Sequence, residues 1–446
     1  MRRPEERVRT RMTRGVAWNA IGTAFNQGST FLVNLVVAHL LTRAAFGQYA
    51  MIQTTLSVVA ALAPLSTAYT ATKYVAEYRQ RDPARASRIL GLCAAISGAM
   101  AILASLGLFV GAERVAVALK EPALAPGLMV AAVVMFFSVT NAFAIGALAG
   151  LESYPAIGRA GIASGLLYVL LSAGGAVEWG VPGALGGAAI AGFLQAAILW
   201  PVLIREAHRW SLRVDLAGAR QETTILLGFS LPAALNGFVS LPAIWMANAI
   251  LARQPDGYQQ MALFTAANSF RIIVLFIPNI LNNVGMSVLN SQRGAGHEAQ
   301  FRRLFWTNWF VTGGVVLLAG IVLAITGPWV LLLFGRDFRG AYSALLVLLV
   351  AALAESLALA TFQVIQSQAR IWWSFVGVVT PAYLTLLGAA AAFVPRGGAV
   401  GLAVAYLACW VMWLAGVSFA AWRIGIWPST DLRIPLDRNR PQEDAR

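Results

Sequence analysis

"LTRAAFG" at residues 41–47 returns as "LARQPDG" at residues 251–257. Leu41 matches Leu251, Arg43 matches Arg253 and Gly47 matches Gly257, each pair 210 positions apart. Each copy closes one apolar run and opens another, "QYAMIQTTLS" or "YQQMALFTAA". Three matched positions are a weak signal on their own. They gain weight from where they fall among the apolar runs of the whole chain.

Those runs dominate the composition. Of 446 residues, 59% are hydrophobic and 12% charged, and the mean hydropathy is +0.69. A soluble chain carries about twice that charged fraction. Runs of about 20 apolar residues predict an all-α polytopic membrane protein. Twelve spans are expected, at about 16–41, 47–73, 89–110, 125–149, 160–177, 181–204, 224–251, 260–289, 305–327, 341–362, 374–394 and 397–422. Assigning the connections to alternate sides puts 25 Lys and Arg on the side of both termini and 7 on the other, with Arg271 the remainder of 33. That bias makes both termini cytoplasmic in a cell inner membrane. "MRRPEERVRTRMTRG" resembles the charged start of a signal peptide. The run behind it is too long for one and predicts a retained first helix.

With spans in place, the repeat equates spans 1 and 2 with spans 7 and 8. Six spans separate the copies, an even number, so the two halves run parallel about an axis along the membrane normal. The expected organisation is a basic N-terminal segment (1–15), an N-lobe (16–204), a cytoplasmic linker (205–223), a C-lobe (224–422) and a cytoplasmic tail (423–446).

The net charge of +14 does not point to nucleic acid, because the basic residues sit at the ends of apolar runs. Cys93 and Cys409 lie inside such runs, and His39, His208 and His297 are scattered, so no metal site is expected. No phosphate-cradling Gly-x-x-x-x-Gly-Lys-Ser/Thr loop and no nucleophile–base pair in a polar setting occurs. Neither an enzyme nor a cofactor is expected.

"FTAANSFRIIVLFIPNIL" (264–281) breaks the apolar rule. Arg271 lies about ten residues into span 8, roughly 15 Å deep. An arginine there costs on the order of 3 kcal/mol on insertion scales, so it must face protein or water. Asn268 and Asn282 share its face. Span 1 carries a polar stripe, Asn19, Thr23, Asn26, Thr30 and Asn34, at helical spacing. Gln53 and Asn236, with nearby prolines in spans 2 and 7, extend the set to a cavity between spans 1, 2, 7 and 8. The plainer reading of any one such residue is a hydrogen bond to a neighbouring helix. Arg271 also has a structural alternative, a pair with Glu355 about 6 Å away along the membrane normal. Lys73, at the cytoplasmic mouth, reads first as a snorkelling anchor.

Several stretches resemble the polysaccharide transporter branch of the multidrug/oligosaccharidyl-lipid/polysaccharide (MOP) flippase superfamily. They are "LLTRAAFGQYAM", "KYVAEYRQRDPARASRI", "ALAGLESYPAIGRAG", "LLLFGRDFRGAYSALLVLL" and "QVIQSQARIWWSF". The resemblance implies two six-helix lobes in a V around a cavity, alternating access, and a lipid-linked oligosaccharide as cargo. It also implies membrane lipids, a polysaccharide polymerase and glycosyltransferases as partners. Basic residues in the cavity are common in the family, and Arg271 suits a diphosphate that it grips with several donors. Glu355 is the candidate for ion coupling. Two alternatives stay open: a cation or drug antiporter of the multidrug branch, which calls for cavity acids, and a non-transporting scaffold for glycosyltransferases. Lipid II flippases of the superfamily generally have two more helices, for which this chain has no room.

Overall fold

The computed structural model describes residues 22, 24–62, 67–213, 215, 218, 222, 231–294, 298–366 and 375–423. Among them the chain is helical, with no strand. The first helix, α1, covers 24–40. Then come α2 (Arg43–Leu62), α3 (Thr67–Tyr78), α4 (Pro83–Ala118), α5 (Leu124–Gly150) and α6 (Tyr154–Arg209), followed by α7 (Leu231–Ala252), α8 (Gly257–Gly294), α9 (Glu298–Val330), α10 (Tyr342–Gln366) and α11 (Thr380–Arg423).

Two of these are double. The 56-residue α6 is interrupted at Gly180, where φ is 60°, and the 44-residue α11 at Gly398, where φ is 52°. Both angles fall in the left-handed region that glycine alone enters at little cost. The chain folds back at each point, so each helix supplies two passes. Among the described residues eight stretches are long and apolar enough to cross a membrane, α6 and α11 included. With 24–40 and the shorter Val239–Ala252, the order is consistent with 12 crossings. Exposed apolar side chains line the outside, such as Leu103, Leu106 and Phe109 on α4 and Leu318, Ile321 and Ile325 on α9. Faces of that kind are at home against lipid tails.

Several helices run beyond the expected spans, α4 to Ala118, α6 from Tyr154 and α9 from Glu298 among them. The second pass continues as α3 to Tyr78, and α4 begins at Pro83 rather than near 89. Asp82 caps α4, its carboxylate accepting from the Arg85 N–H at 2.9 Å, and proline suits the first helical position. Hydropathy marks the membrane, whereas the caps mark the helix.

In the N-lobe, α5 packs against α2, α3, α4 and α6. In the C-lobe, α11 packs against α7, α8 and α10, and α9 lies on α8 and α10. The lobes meet chiefly where α2 lies against α7 and α8. Repeat-related glycines sit at that junction. The Gly47 backbone is so close to the Tyr258 carbonyl that a Cβ would overlap it.

The junction is tightest at the end of the molecule where α2 and α8 begin. Arg43 donates to Gln259 and to the Asp337 carbonyl at 3.4 Å. Tyr258 donates to the Leu119 carbonyl at 3.1 Å. Deeper in, Trp245 Nε1 donates to Thr55 Oγ1 at 3.0 Å. Phe31 and Phe46 of the N-lobe mesh with Phe270, Phe334 and Phe338 of the C-lobe, with ring centroids 5.5–6.3 Å apart. These rings form an aromatic plug. At the opposite end of the N-lobe, buried Arg79 pairs with Glu152, donates to the Gly150 carbonyl at 3.0 Å and lies 4.6 Å from the centroid of the Trp210 ring.

Candidate functional site

Two cavities share α1 as a wall. The first follows the seam between the lobes. It has a volume of about 400 Å³ and is lined by Asn26, Gln27, Thr30 and Asn34 of α1 and by Ile272, Ile273 and Phe276 of α8, among others. It runs from the plug residue Phe31 toward residue 24, away from the Arg43 end. The amides lie on the α1 wall, with Phe31 among them, and the α8 wall is aliphatic and aromatic apart from Ser269. The second cavity, about 590 Å³, lies inside the N-lobe between α1, α2, α5 and α6, with Gln27, Gln53, Asn141, Tyr168 and Gln195 on its walls. No Asp, Glu, Lys, Arg or His lines either cavity among the described residues.

The polar stripe of α1 follows from helical spacing: residues 26, 30 and 34 repeat every four positions and share one face. Thr30 turns its hydroxyl back onto the Asn26 carbonyl at 3.0 Å, a local bond that leaves the asparagine amide facing the cavity. Asn19 and Thr23 lie outside the described residues. Gln53 Nε2 donates to the Tyr49 hydroxyl at 2.7 Å and to the Tyr168 hydroxyl at 3.0 Å.

Arg271 sits about 21 Å along α8 from Gly257 at 1.5 Å per residue. It is 8% exposed. Its guanidinium turns into the C-lobe rather than toward the seam. Nε donates to Asn268 Oδ1 at 2.7 Å, one terminal nitrogen pairs with Glu355 of α10, and the Tyr406 ring lies 5.6 Å away. Asn248 in turn donates to the Tyr406 hydroxyl at 3.3 Å. Neither Arg271 nor Glu355 lines the two cavities, although the next residues, Ile272 and Ile273, line the seam. The physical reason is the carboxylate: charge pairing inside the lobe satisfies the guanidinium better than an uncharged seam does.

The sequence-expected residues therefore separate into groups. Asn26, Asn34 and Gln53 line cavities. Asn268 braces Arg271. Lys73 is exposed on α3, its ammonium 4.8 Å from the Tyr74 ring centroid. The side chains of Asn236 and Asn282 lie outside the described residues. Sequence reading missed Gln27, Asn141, Tyr168 and Gln195, because only the packing of four helices unites them.

Comparison with known proteins agrees with this architecture. A family model described as "Polysaccharide biosynthesis protein" matches residues 12–290. The chain is 25% identical over 394 residues to the EPS I polysaccharide export inner membrane protein EpsE of Ralstonia nicotianae (strain ATCC BAA-1114 / GMI1000), covering 86% of this chain and 88% of that protein. It is 27% identical over 216 residues to the protein of the same description from Ralstonia solanacearum, covering 46% and 49%. Among solved structures, an inward-facing multidrug resistance MATE family transporter of the MOP superfamily superposes with a TM-score of 0.79 at 16% identity, covering 90% of this chain and 94% of that one. A MOP superfamily transporter from Pyrococcus furiosus Vc1 (DSM3638), described as having a binding pocket of reverse polarity, superposes with a TM-score of 0.69 at 16% identity, covering 93% and 95%.

Proposed function

The chain belongs to the polysaccharide biosynthesis protein family, and from that premise we propose that it is a flippase. Its cargo is a lipid-linked oligosaccharide, carried on undecaprenyl diphosphate. It moves that cargo from the cytoplasmic to the periplasmic leaflet by alternating access, for assembly of a cell-surface polysaccharide.

The polarity of the cavities carries the reading. Amides and hydroxyls face Ile272, Ile273 and Phe276 across the seam, and no charged side chain lines either space among the described residues. A glycan offers hydroxyls to the first wall and a polyprenyl chain offers hydrocarbon to the second. An organic cation calls for a carboxylate in the cavity and a diphosphate for a cation, since a charge taken out of water needs a partner; among the described residues the seam itself holds neither, and Arg271, one residue behind it, supplies the second on release from Glu355.

Orientation follows from the 25-to-7 distribution of basic residues. It assigns the Arg43 end to the periplasm, so the plug closes the outside and the seam receives cargo from the cytoplasmic leaflet. Arg271 is the anion contact, in exchange with Glu355. A diphosphate that displaces the carboxylate from the guanidinium leaves Glu355 free to take up a proton or sodium ion. Outward movement of each negative charge gains about 2.3 kcal/mol per 100 mV of inside-negative potential, so the step needs no nucleotide.

The test is flipping of a fluorescent short-chain prenyl-diphosphate trisaccharide in proteoliposomes. Arg271→Ala is expected to lower the rate more than tenfold, Arg271→Lys less, and collapse of the potential is expected to slow the wild type. Wild-type rates in both Arg271 variants would remove the anion contact, and failure to flip the lipid at all would remove the flippase.

A further inference from the structure

Resting on that flippase reading, we propose that the 590 Å³ cavity inside the N-lobe is a subsite for uncharged sugar rings, separate from the Arg271 region. The argument starts with hydrogen atoms. Asn141 is 3% exposed. Its Nδ2 donates one hydrogen to the Gly192 carbonyl at 2.9 Å and the other to Gln195 Oε1 at 3.1 Å. The Gly192 carbonyl fixes the amide, because the reverse orientation would set two oxygens against each other. Asn141 Oδ1 is then buried with no protein partner among the described residues, and so is Gln27 Oε1 across the cavity. Buried acceptors left empty are uncommon and costly.

Donors are unspent as well. Gln195 accepts from Asn141 through its oxygen, which leaves the hydrogens of its amide nitrogen for the cavity. The Tyr49 and Tyr168 hydroxyls, 3.2 Å apart, both accept from Gln53. One hydroxyl proton bridges the two tyrosines and the second is left over. The cavity thus has acceptors and donors without protein partners on or just behind one uncharged surface. A sugar hydroxyl is both donor and acceptor, so a sugar ring can satisfy both sets in place of several waters. A divalent metal would favour carboxylates, and none lines the cavity among the described residues. The volume falls within the roughly 300–1,000 Å³ usual for small-ligand sites. Gln27 lines the seam too, which places the sugar beside the lipid-bearing end of the cargo.

The experiment compares binding of three probes to the full chain in nanodiscs: a short-chain prenyl diphosphate, the same lipid carrying a neutral hexose trisaccharide, and the free trisaccharide, with several linkages tried. The wild type is expected to prefer the sugar-bearing lipid by at least tenfold. In Gln195→Met and Tyr168→Phe, which preserve volume, the preference should vanish while affinity for the bare lipid holds; thermal unfolding checks that both fold. A preference that persists, or one that falls together with bare-lipid affinity, overturns the subsite. So does the absence of sugar binding for every linkage, or a sodium-dependent stabilisation lost with Gln195 and accompanied by no sugar effect. Trisaccharide binding that depends on Gln195 without any binding of the bare lipid leaves the subsite standing and instead removes the diphosphate recognition of the flippase reading.

Discussion

Tyr258 of the C-lobe donates its hydroxyl to the carbonyl of Leu119 in the N-lobe, at 3.1 Å. Its counterpart runs the other way: Arg43 of the N-lobe donates to the carbonyl of Asp337 in the C-lobe, at 3.4 Å. Each lobe's second pass reaches into the turn between the other lobe's third and fourth passes. The reciprocity is one of topology and not of residue, since at the 210-residue offset Tyr258 matches Gln48 and Arg43 matches Arg253.

Loosening either tie should favour the state open at that end. Tyr258→Phe removes one neutral hydrogen bond, worth about 1 kcal/mol, which is roughly a fivefold shift in population. Gly47→Leu should act more strongly, because the Tyr258 backbone occupies the space a side chain would need and overpacking costs about 1–3 kcal/mol. Spin-label distances across the Arg43 end read both variants, and an unchanged distance distribution in Gly47→Leu would contradict the closed junction.

The Arg271–Glu355 pair makes a separate prediction. Removing one partner of a buried pair costs about 3–5 kcal/mol, whereas replacing both with apolar residues is often neutral. Glu355→Ala should therefore lower the unfolding temperature, and Arg271→Met combined with Glu355→Leu should recover it. Transport should stay absent in the double variant. Recovery of transport along with stability would make the pair structural only.

Topology can be read with a membrane-impermeant maleimide on intact cells. Lys120→Cys and Arg396→Cys should label from outside, and Arg81→Cys and Glu206→Cys only after permeabilisation. The native Cys93 and Cys409 are buried, which keeps the background low. The reverse pattern would invert the orientation and with it the direction of transport.

Much of the architecture was legible in the residues. Apolar run length located the passes, including the breaks after 177 and 394 near which α6 and α11 fold back. The repeat located the lobe junction, where Gly47 permits close approach of the Tyr258 backbone; Gly257 instead closes on its own turn, against Leu251 and Ala252. Arg271 was conspicuous for its cost, but its direction was not readable: a helix face is known from spacing, whereas a long side chain goes where its partner is. The amide cavity was illegible for a related reason. Asn141, Tyr168 and Gln195 lie on α5 and on different halves of α6, and become a set only when these converge.

α1 is a partition with a different space on each face. Because Asn26 and Gln27 border both spaces, any tilt of α1 acts on the two volumes at once, with no message passing through the rest of the molecule.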